Sequence, residues 1–403
     1  MSKLAFLFPG QGSQYVGMGK EYWNSYGIAK ELFEEANETL GFNLQKMCFN
    51  SDISTLTQTM NAQPAILTVS VITFKIYMQE IGIEPAYLAG HSLGEYSALV
   101  CSGKIAFTDA LTIVRKRGEL MQFTTDPKMG AMAAVIGETK DVLEILCNQI
   151  STEQQPVVIA CHNSPTQNVI SGHREAVHKV IEKLKDWNIK TAYLKVSAPF
   201  HSPLMLEASH KLVSELSKYK YNHWKWPVIS NVTALPYGYN ESLEVLLQQQ
   251  MVAPVRWMDT LLYLQQQGIN EMVELGPKKV LSELVMQTLT SAHTYPITDS
   301  SSLQEIRKEL GGMAAHSQKS LEWMEACWTI AVTTRNRNWN DEEYWNDVVV
   351  NCNLMREIIG DVEKVKAPPT LEQIQKIQIL LETVLSAKKL PIEEKKRIKK
   401  EIN

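Results

Sequence analysis

Two side chains have the type and setting to do chemistry together: a serine and a histidine. Ser92 stands in Gly90-His91-Ser92-Leu93-Gly94-Glu95, a GxSxG pattern. The apolar run Tyr87 to Ala89 before it reads as a buried strand, and Glu95 to Val100 after it has the composition of a helix. Gly90 and Gly94 therefore bracket a sharp strand-to-helix reversal with Ser92 at its tip. A side chain at either glycine would obstruct so crowded a turn. Ser92 is the candidate nucleophile, and the N–H groups that open the following helix face the space where an oxyanion would form. A bare GxSxG arises by chance in roughly one in ten chains of this length, and a serine that merely caps a helix is the alternative, so the assignment rests on the strand-to-helix context.

A nucleophilic serine needs a base. His201, in Ser197-Ala198-Pro199-Phe200-His201-Ser202-Pro203, lies between two prolines that stiffen its loop, which suits a base delivered by the fold. His173, His178, His210 and His223 fall in helical or polar surface patterns. Arg117 lies in the helical stretch Asp109 to Gln122 beside Arg115 and Lys116, where an arginine ordinarily faces solvent. Asn163, in Cys161-His162-Asn163-Ser164-Pro165, falls in a turn, a common structural place for asparagine. Gln11, in Pro9-Gly10-Gln11-Gly12-Ser13-Gln14, offers an amide at the end of the first strand. Two phosphate-loop readings of that stretch fail: a dinucleotide fingerprint needs glycine where Tyr15 stands, and no Gly-Lys-Ser/Thr follows.

The elements that must position these groups alternate. Leu4 to Phe8 is a buried strand, Glu21 to about Lys46 is helical, and a helix from Pro64 to Tyr77 has Pro64 in its first turn. After the elbow and the Asp109 to Gln122 helix, residues 128–197 give strand, helix, strand, strand, helix, strand, the order of a ferredoxin-like unit. Val228 to Thr233 is a strand, Glu244 to Gln250 a helix end, Met251 to Trp257 the start of another helix, and Glu271 to Leu275 the last strand. The expected fold is α/β: an α/β-hydrolase-like, mostly parallel sheet core from 1–127 and 198–310, with 128–197 as an inserted ferredoxin-like subdomain.

Residues 311–403 are expected to be a linker, Gly311 to Lys319, and a helical extension. The extension holds four of the nine tryptophans, Trp323, Trp328, Trp339 and Trp345, a density that argues for packing. Pro368-Pro369-Thr370 opens a helix with Gln373 in capping-box position and an apolar stripe through Leu371, Ile374, Ile377, Leu380, Leu381, Val384 and Leu385. Pro391 breaks it, and Lys395, Lys396, Arg397, Lys399 and Lys400 form a basic end. Two readings stand: helices packed back on the core, or a docking element for an acidic carrier protein or synthase surface.

The 403 residues are 44% hydrophobic and 21% charged with a net charge of -4, which gives no reason to expect a nucleic-acid or membrane partner. The six cysteines lack CxxC spacing, and no apolar stretch reaches membrane-spanning length, so free thiols in a reducing cytoplasm are expected. The apolar start is cut off by Pro9-Gly10 before a signal-peptide core forms. Histidines and cysteines lack metal-ligand spacing.

FPGQGSQ, GHSLGE, RxRGxLMQ, NSPxQxVISG, PFHSPLM, QQMVAPVRW and ELGP stand in one order over about residues 3–310. That set resembles the malonyl-CoA:acyl carrier protein transacylases, including the free-standing acyltransferases that serve polyketide synthases. The resemblance implies a two-step transfer from malonyl-CoA to the phosphopantetheine thiol of an acyl carrier protein, free or within a polyketide synthase, in polyketide or fatty acid biosynthesis. No bound cofactor is implied. Ser92 would attack the thioester, His201 would act as base and then acid, and the N–H groups of Gln11 and Leu93 would form the oxyanion hole. Gln250 would hold His201 through its backbone carbonyl, so a dyad without an acidic third member is expected; Asn163 would lie near the site.

Arg117 falls on the family position that grips the malonate carboxylate. A buried guanidinium fork suits a carboxylate, and an acetyl group would leave its charge unpaired at a cost of several kcal/mol, roughly a hundredfold or more in discrimination. Phe200 falls where bulky residues accompany malonyl-using members, so malonyl is expected over methylmalonyl. A hydrolase that clears stalled acyl chains from carrier proteins is the rival, and Arg117 argues against it, because such an enzyme gains nothing from a carboxylate clamp. A non-catalytic scaffold is opposed by the intact Ser92 and His201.

Overall fold

The computed structural model describes residues 4–123, 129–238, 242–365, 369, 371–391, 394 and 398, with the side chains of 311–320, 365, 371, 372 and 375 left out. Its chain divides into one compact unit over 3–304 and a second from Glu305 onward.

In the first unit, strand β1 (Leu4–Phe8) is buried at every residue. It is the middle of five parallel strands in the order β10 (His293–Ile297), β9 (Glu271–Leu275), β1, β2 (Tyr87–Gly90) and β7 (Val228–Ile229), covered on both faces, which is why its sequence is continuously apolar instead of alternating. Five helices follow: α1 (Lys20–Ser25), α2 (Gly27–Leu40), α3 (Leu44–Asn50), α4 (Ile53–Thr57) and α5 (Thr59–Glu80). The single helix expected over Glu21 to Lys46 is broken twice, at Tyr26, which is extended, and at Gly41, whose φ of 72° closes α2 with a left-handed cap. Pro64 lies inside α5, not in its first turn. Proline leaves the carbonyl four residues back without its helical partner, and here Arg115 Nη1 donates to that Met60 oxygen at 2.9 Å.

Strand β2 (Tyr87–Gly90) runs into α6 (Leu93–Cys101), and α7 (Phe107–Phe123) packs against α5. Phe8 pairs with Gly90, so the loops after β1 and β2 emerge side by side at the carboxyl edge, where open α/β sheets bind ligands.

The inserted segment contains β3 (Gly130–Ile136), α8 (Lys140–Ile150), β4 (Val157–Ser164), β5 (Gln167–His173), α9 (Arg174–Asp186) and β6 (Lys190–Tyr193). Its strands lie in the order β6-β3-β5-β4, antiparallel throughout, over a core that includes Val135, Leu143, Ile170, Val177 and Val180. After α10 (Leu206–Leu216), β7 (Val228–Ile229) and α11 (Leu243–Gln250), strand β8 (Val255–Arg256) joins this second sheet beside β4, with Cys161 opposite Val255. The insertion therefore shares a sheet with the later chain, and 3–304 forms a single unit.

Several expectations need correction. β7 stops at Ile229 because the chain doubles back, Ser230 N–H bonding Leu235 O with Ala234 at φ 57°. Met251 to Pro254 form a turn, and α12 (Trp257–Gln266) begins only after β8. β9 (Glu271–Leu275) is not the last strand: beyond α13 (Val280–Thr288), β10 (His293–Ile297) takes the sheet edge, where Pro296 is tolerated.

The second unit begins at Glu305, within α14 (Ser300–Thr333), and continues through α15 (Asp341–Tyr344), a π-helical turn over Trp345–Val349, α16 (Val350–Val365) and α17 (Leu371–Ala387). Gly311 to Lys319 is not a linker but a stretch of helix, in which two glycines cost about 1 kcal/mol each and Met313, Ala314, Ala315, Gln318 and Lys319 favour the helical state. Met324, Cys327, Met355, Ile359, Ile377, Leu381 and Val384 form a separate core. Trp323 and Trp328 pack against it, whereas Trp339 is 93% exposed and Trp345 63%, so only half of the tryptophans pack as expected. α17 ends at Ala387, ahead of Pro391. Thr370 of the capping box and the basic residues Lys395, Lys396, Arg397, Lys399 and Lys400 lie outside the described residues. The six cysteines are free; among the described residues no group of three or more acidic, histidine or cysteine side chains could hold a metal, and no helix is long and apolar enough to cross a membrane.

Candidate active site

Ser92 sits between β2 and α6 at φ 52° and ψ −102°, a backbone state that a non-glycine residue adopts only when its surroundings impose it. The surroundings do so. A Cβ on Gly90 would lie 2.0 Å from the Gly94 carbonyl carbon, and one on Gly94 would lie 1.9 Å from Phe8 O, so the elbow closes only with glycine at both places. His91 N–H donates to Phe8 O at 3.0 Å, tying the elbow to β1. Leu93 is the first residue of α6, where N–H groups have no intrahelical partner.

His201 also has a positive φ, 56°, and is held by its own N–H donating to Met251 O at 3.1 Å. Its Nε2 lies 2.8 Å from Ser92 Oγ, and its Nδ1 lies 2.7 Å from the backbone oxygen of Gln250. A carbonyl can only accept, so Nδ1 carries the proton and Nε2 turns a lone pair toward the hydroxyl. Burial, and next the positive charge of Arg117, hold the imidazole down to about 3.

Arg117, expected to face solvent on local grounds, is 1% exposed. Nη1 donates to Gln63 Oε1 at 2.9 Å, and Nη2 donates to Gln250 Oε1 at 2.9 Å and to Ser92 Oγ at 3.2 Å. Its Nε is buried with no hydrogen-bond partner among the described residues. The guanidinium lies 5.2 Å from the centre of the Tyr96 ring. Asn163 Oδ1 accepts from His91 Nε2 at 2.8 Å, one residue from the serine. Phe200 is buried next to His201 in the chain, and Gln11 Nε2 donates to Thr59 Oγ1 at 3.3 Å. The chain thus brings Ser92, His201, Arg117 and the backbone and side chain of Gln250 into direct contact. Two cavities, of about 240 and 330 Å³, are lined by other residues.

Residues 5–326 match the acyl transferase domain family. A malonyl CoA-acyl carrier protein transacylase of Bacillus subtilis is 43% identical over 400 residues, covering 99% of this chain and 100% of the relative. The chain belongs to the malonyl CoA-acyl carrier protein transacylase family. Among solved structures, a transacylase of that name from Clostridium perfringens superposes with a TM-score of 0.75 at 34% identity, covering 78% of this chain and 99% of its own. Another, a malonyl-transacylase in complex with its type II PKS acyl-carrier protein, gives a TM-score of 0.74 at 34% identity over 76% of this chain and 100% of that one. The Bacillus relative therefore extends across the second unit, which both solved chains leave largely uncovered.

Three further residues of this transacylase-family site carried no role in the sequence. Asn231 Oδ1 accepts from Ser92 N–H at 2.7 Å while its Nδ2 donates to Gly90 O at 2.7 Å, a staple across the elbow. Glu95 is fully buried and accepts from Gln250 Nε2, Asn231 N–H and Tyr237 Oη. Gln63 completes the arginine's surroundings. The available signals were faint: an acid in the first turn of an otherwise apolar helix for Glu95, and a position at a strand's carboxyl end for Asn231.

Proposed function

We propose that the protein moves a malonyl group from malonyl-CoA to the phosphopantetheine thiol of an acyl carrier protein through an ester on Ser92, as the family and the named relatives support. The observation that carries the reading is the fully buried Arg117 fork in contact with Ser92 Oγ. A buried cation beside a nucleophile calls for an acyl group with a free negative charge.

In the first half-reaction Ser92 Oγ gives its proton to His201 Nε2 and attacks the thioester carbonyl. The tetrahedral oxygen is stabilised by the N–H groups of Gln11 and Leu93. The C–S bond breaks, and the departing thiolate of CoA takes the proton from His201. In the second half-reaction the carrier thiol gives its proton to His201, its sulfur attacks the ester, and Ser92 leaves as alkoxide to recover that proton. Gln250 O keeps the imidazole in the required tautomer throughout, a role that an acidic residue takes in a triad.

The malonyl carboxylate does more than select. It cancels the guanidinium charge that depresses His201, so binding of the right substrate strengthens the base just when it is needed. Phe200 is assigned to crowd a 2-methyl branch, and Asn163 to position His91 behind the elbow. A cytoplasmic location fits six unpaired cysteines.

Mass spectrometry of the protein mixed with malonyl-CoA, with and without carrier protein, tests the proposal. The expected result is a malonyl adduct on Ser92 that passes to the carrier. Release of free malonate without transfer would identify a hydrolase, and absence of any adduct would reject covalent transfer altogether.

A further inference from the structure

Besides the direct contacts of Arg117 and His201 with Ser92, one buried carboxylate braces the elbow against the residue that holds both of them. Glu95 Oε2 accepts from the Gln250 side-chain amide at 2.6 Å and from Asn231 N–H at 3.1 Å, while Oε1 accepts from Tyr237 Oη. Each partner leads to the chemistry. Asn231 holds Ser92 N–H and Gly90 O, fixing the strained nucleophile. Gln250 gives its second amide hydrogen to Ser92 O at 2.9 Å, while its Oε1 accepts from Arg117 and its backbone oxygen accepts from His201. Two acceptors draw the amide nitrogen and one donor draws its oxygen, so the amide has one satisfied orientation, with Oε1 on the guanidinium.

We propose that Glu95 is a positioning residue for acyl transfer: its single oxygen Oε2 locks the segment that carries Ser92 to the helix end that holds His201 and Arg117. The inference rests on the functional reading above. Glu95 does not touch the substrate; it sets the distances among the groups that do. What matters is the placement of an acceptor, not the negative charge. Burial pushes the carboxyl up to about 7, and a proton on Oε1, donated to the Tyr237 oxygen once that hydroxyl rotates, leaves Oε2 free to accept.

Glu95→Gln and Glu95→Asp separate placement from charge. Glutamine keeps the oxygen at the Oε2 position and turns its NH2 toward Tyr237, whereas aspartate keeps the charge but withdraws the oxygen by about one C–C bond, ~1.5 Å. The rate of malonyl loading on Ser92 and the separate kcat and KM for carrier transfer are measured for both, with thermal unfolding and circular dichroism to verify folding. The glutamine variant is expected within about threefold of the parent, and the aspartate variant about a hundredfold lower in kcat, the usual consequence of misplacing catalytic groups by an ångström. Should Glu95→Asp not fold, Glu95→Met, which fills the space without an acceptor, is expected to show the same loss. A folded aspartate or methionine variant that works at the parental rate, or a glutamine variant as slow as either, overturns the proposal. If the parent protein itself forms no malonyl adduct, the functional reading fails and not the role of Glu95.

Discussion

Arg117→Ala should abolish the preference for malonyl over acetyl thioesters, and the size of the change follows from the burial of the guanidinium. Its side chain is 1% exposed, so a malonyl carboxylate that reaches it gives up nearly all of its water. Without the arginine that carboxylate has Gln63 and Gln250 nearby but no charge to meet. Removing one member of a buried ion pair costs about 3–5 kcal/mol, which at 1.4 kcal/mol per decade is between about a hundredfold and a few thousandfold in kcat/KM. An acetyl group carries no charge into the pocket and does not incur that penalty.

The substitution has two other effects: it deletes the Nη2 bond to Ser92 Oγ, and it removes a cation that depresses His201. Both act on the nucleophile and the base, and so on malonyl and acetyl substrates alike. The ratio of the two loading rates therefore isolates the clamp. Adduct formation on Ser92 is followed by mass spectrometry with each thioester under single-turnover conditions. If both rates fall by the same factor and the malonyl preference survives, Arg117 serves the serine and not the acyl carboxylate, and the selectivity argument is refuted.

With His201 at about 3 in the free protein, kcat/KM for loading should show no acid limb down to about pH 5, because the base is already neutral there. Arg117→Ala removes one cause of that depression, so its His201 shifts upward toward the ordinary value near 6.5 and rates begin to fall at higher pH than in the parent; identical pH profiles would contradict the coupling. Gly94→Ala drives a Cβ to within 1.9 Å of Phe8 O, where no side chain can yield, and should cost about 3 kcal/mol or more by chemical denaturation, an elbow of parental stability being the contrary outcome. Phe200→Ala should raise loading of methylmalonyl-CoA relative to malonyl-CoA by about tenfold or more, up to the ~3 kcal/mol that one methyl group commands, and an unchanged ratio would remove Phe200 from specificity.

How much of this is legible in the sequence depends on whether a residue's role is written in its neighbours. The elbow was legible because the strand, the two glycines and the helix are local and each is required by sterics. His201 stood out through its loop. Arg117 did not: its helix shows two neighbouring cations, and Arg115, which looks equivalent, instead bonds the carbonyl freed by Pro64. Only the set of ordered motifs separated the two. Glu95, Asn231 and Gln63 act through hydrogen bonds to residues distant in the chain, and no periodicity records such partners.

The misplaced boundaries have a common cause. Turns, helix breaks and linkers are inferred from residues that permit a conformation, and permission is not compulsion. Gly41 ends a helix while Gly311 and Gly312 continue one, although the residue type is the same. At Gly41 the chain takes up a left-handed cap that suits glycine; in α14 the flanking helix formers outweigh a penalty of about 1 kcal/mol per glycine. Tryptophan shows the converse. Its size made packing the default expectation, yet Trp339 and Trp345 lie exposed, because the second unit closes its core with Met324, Cys327, Ile377 and Val384. Glycine and tryptophan thus mark what a position tolerates, and what each position became was set by the residues around it.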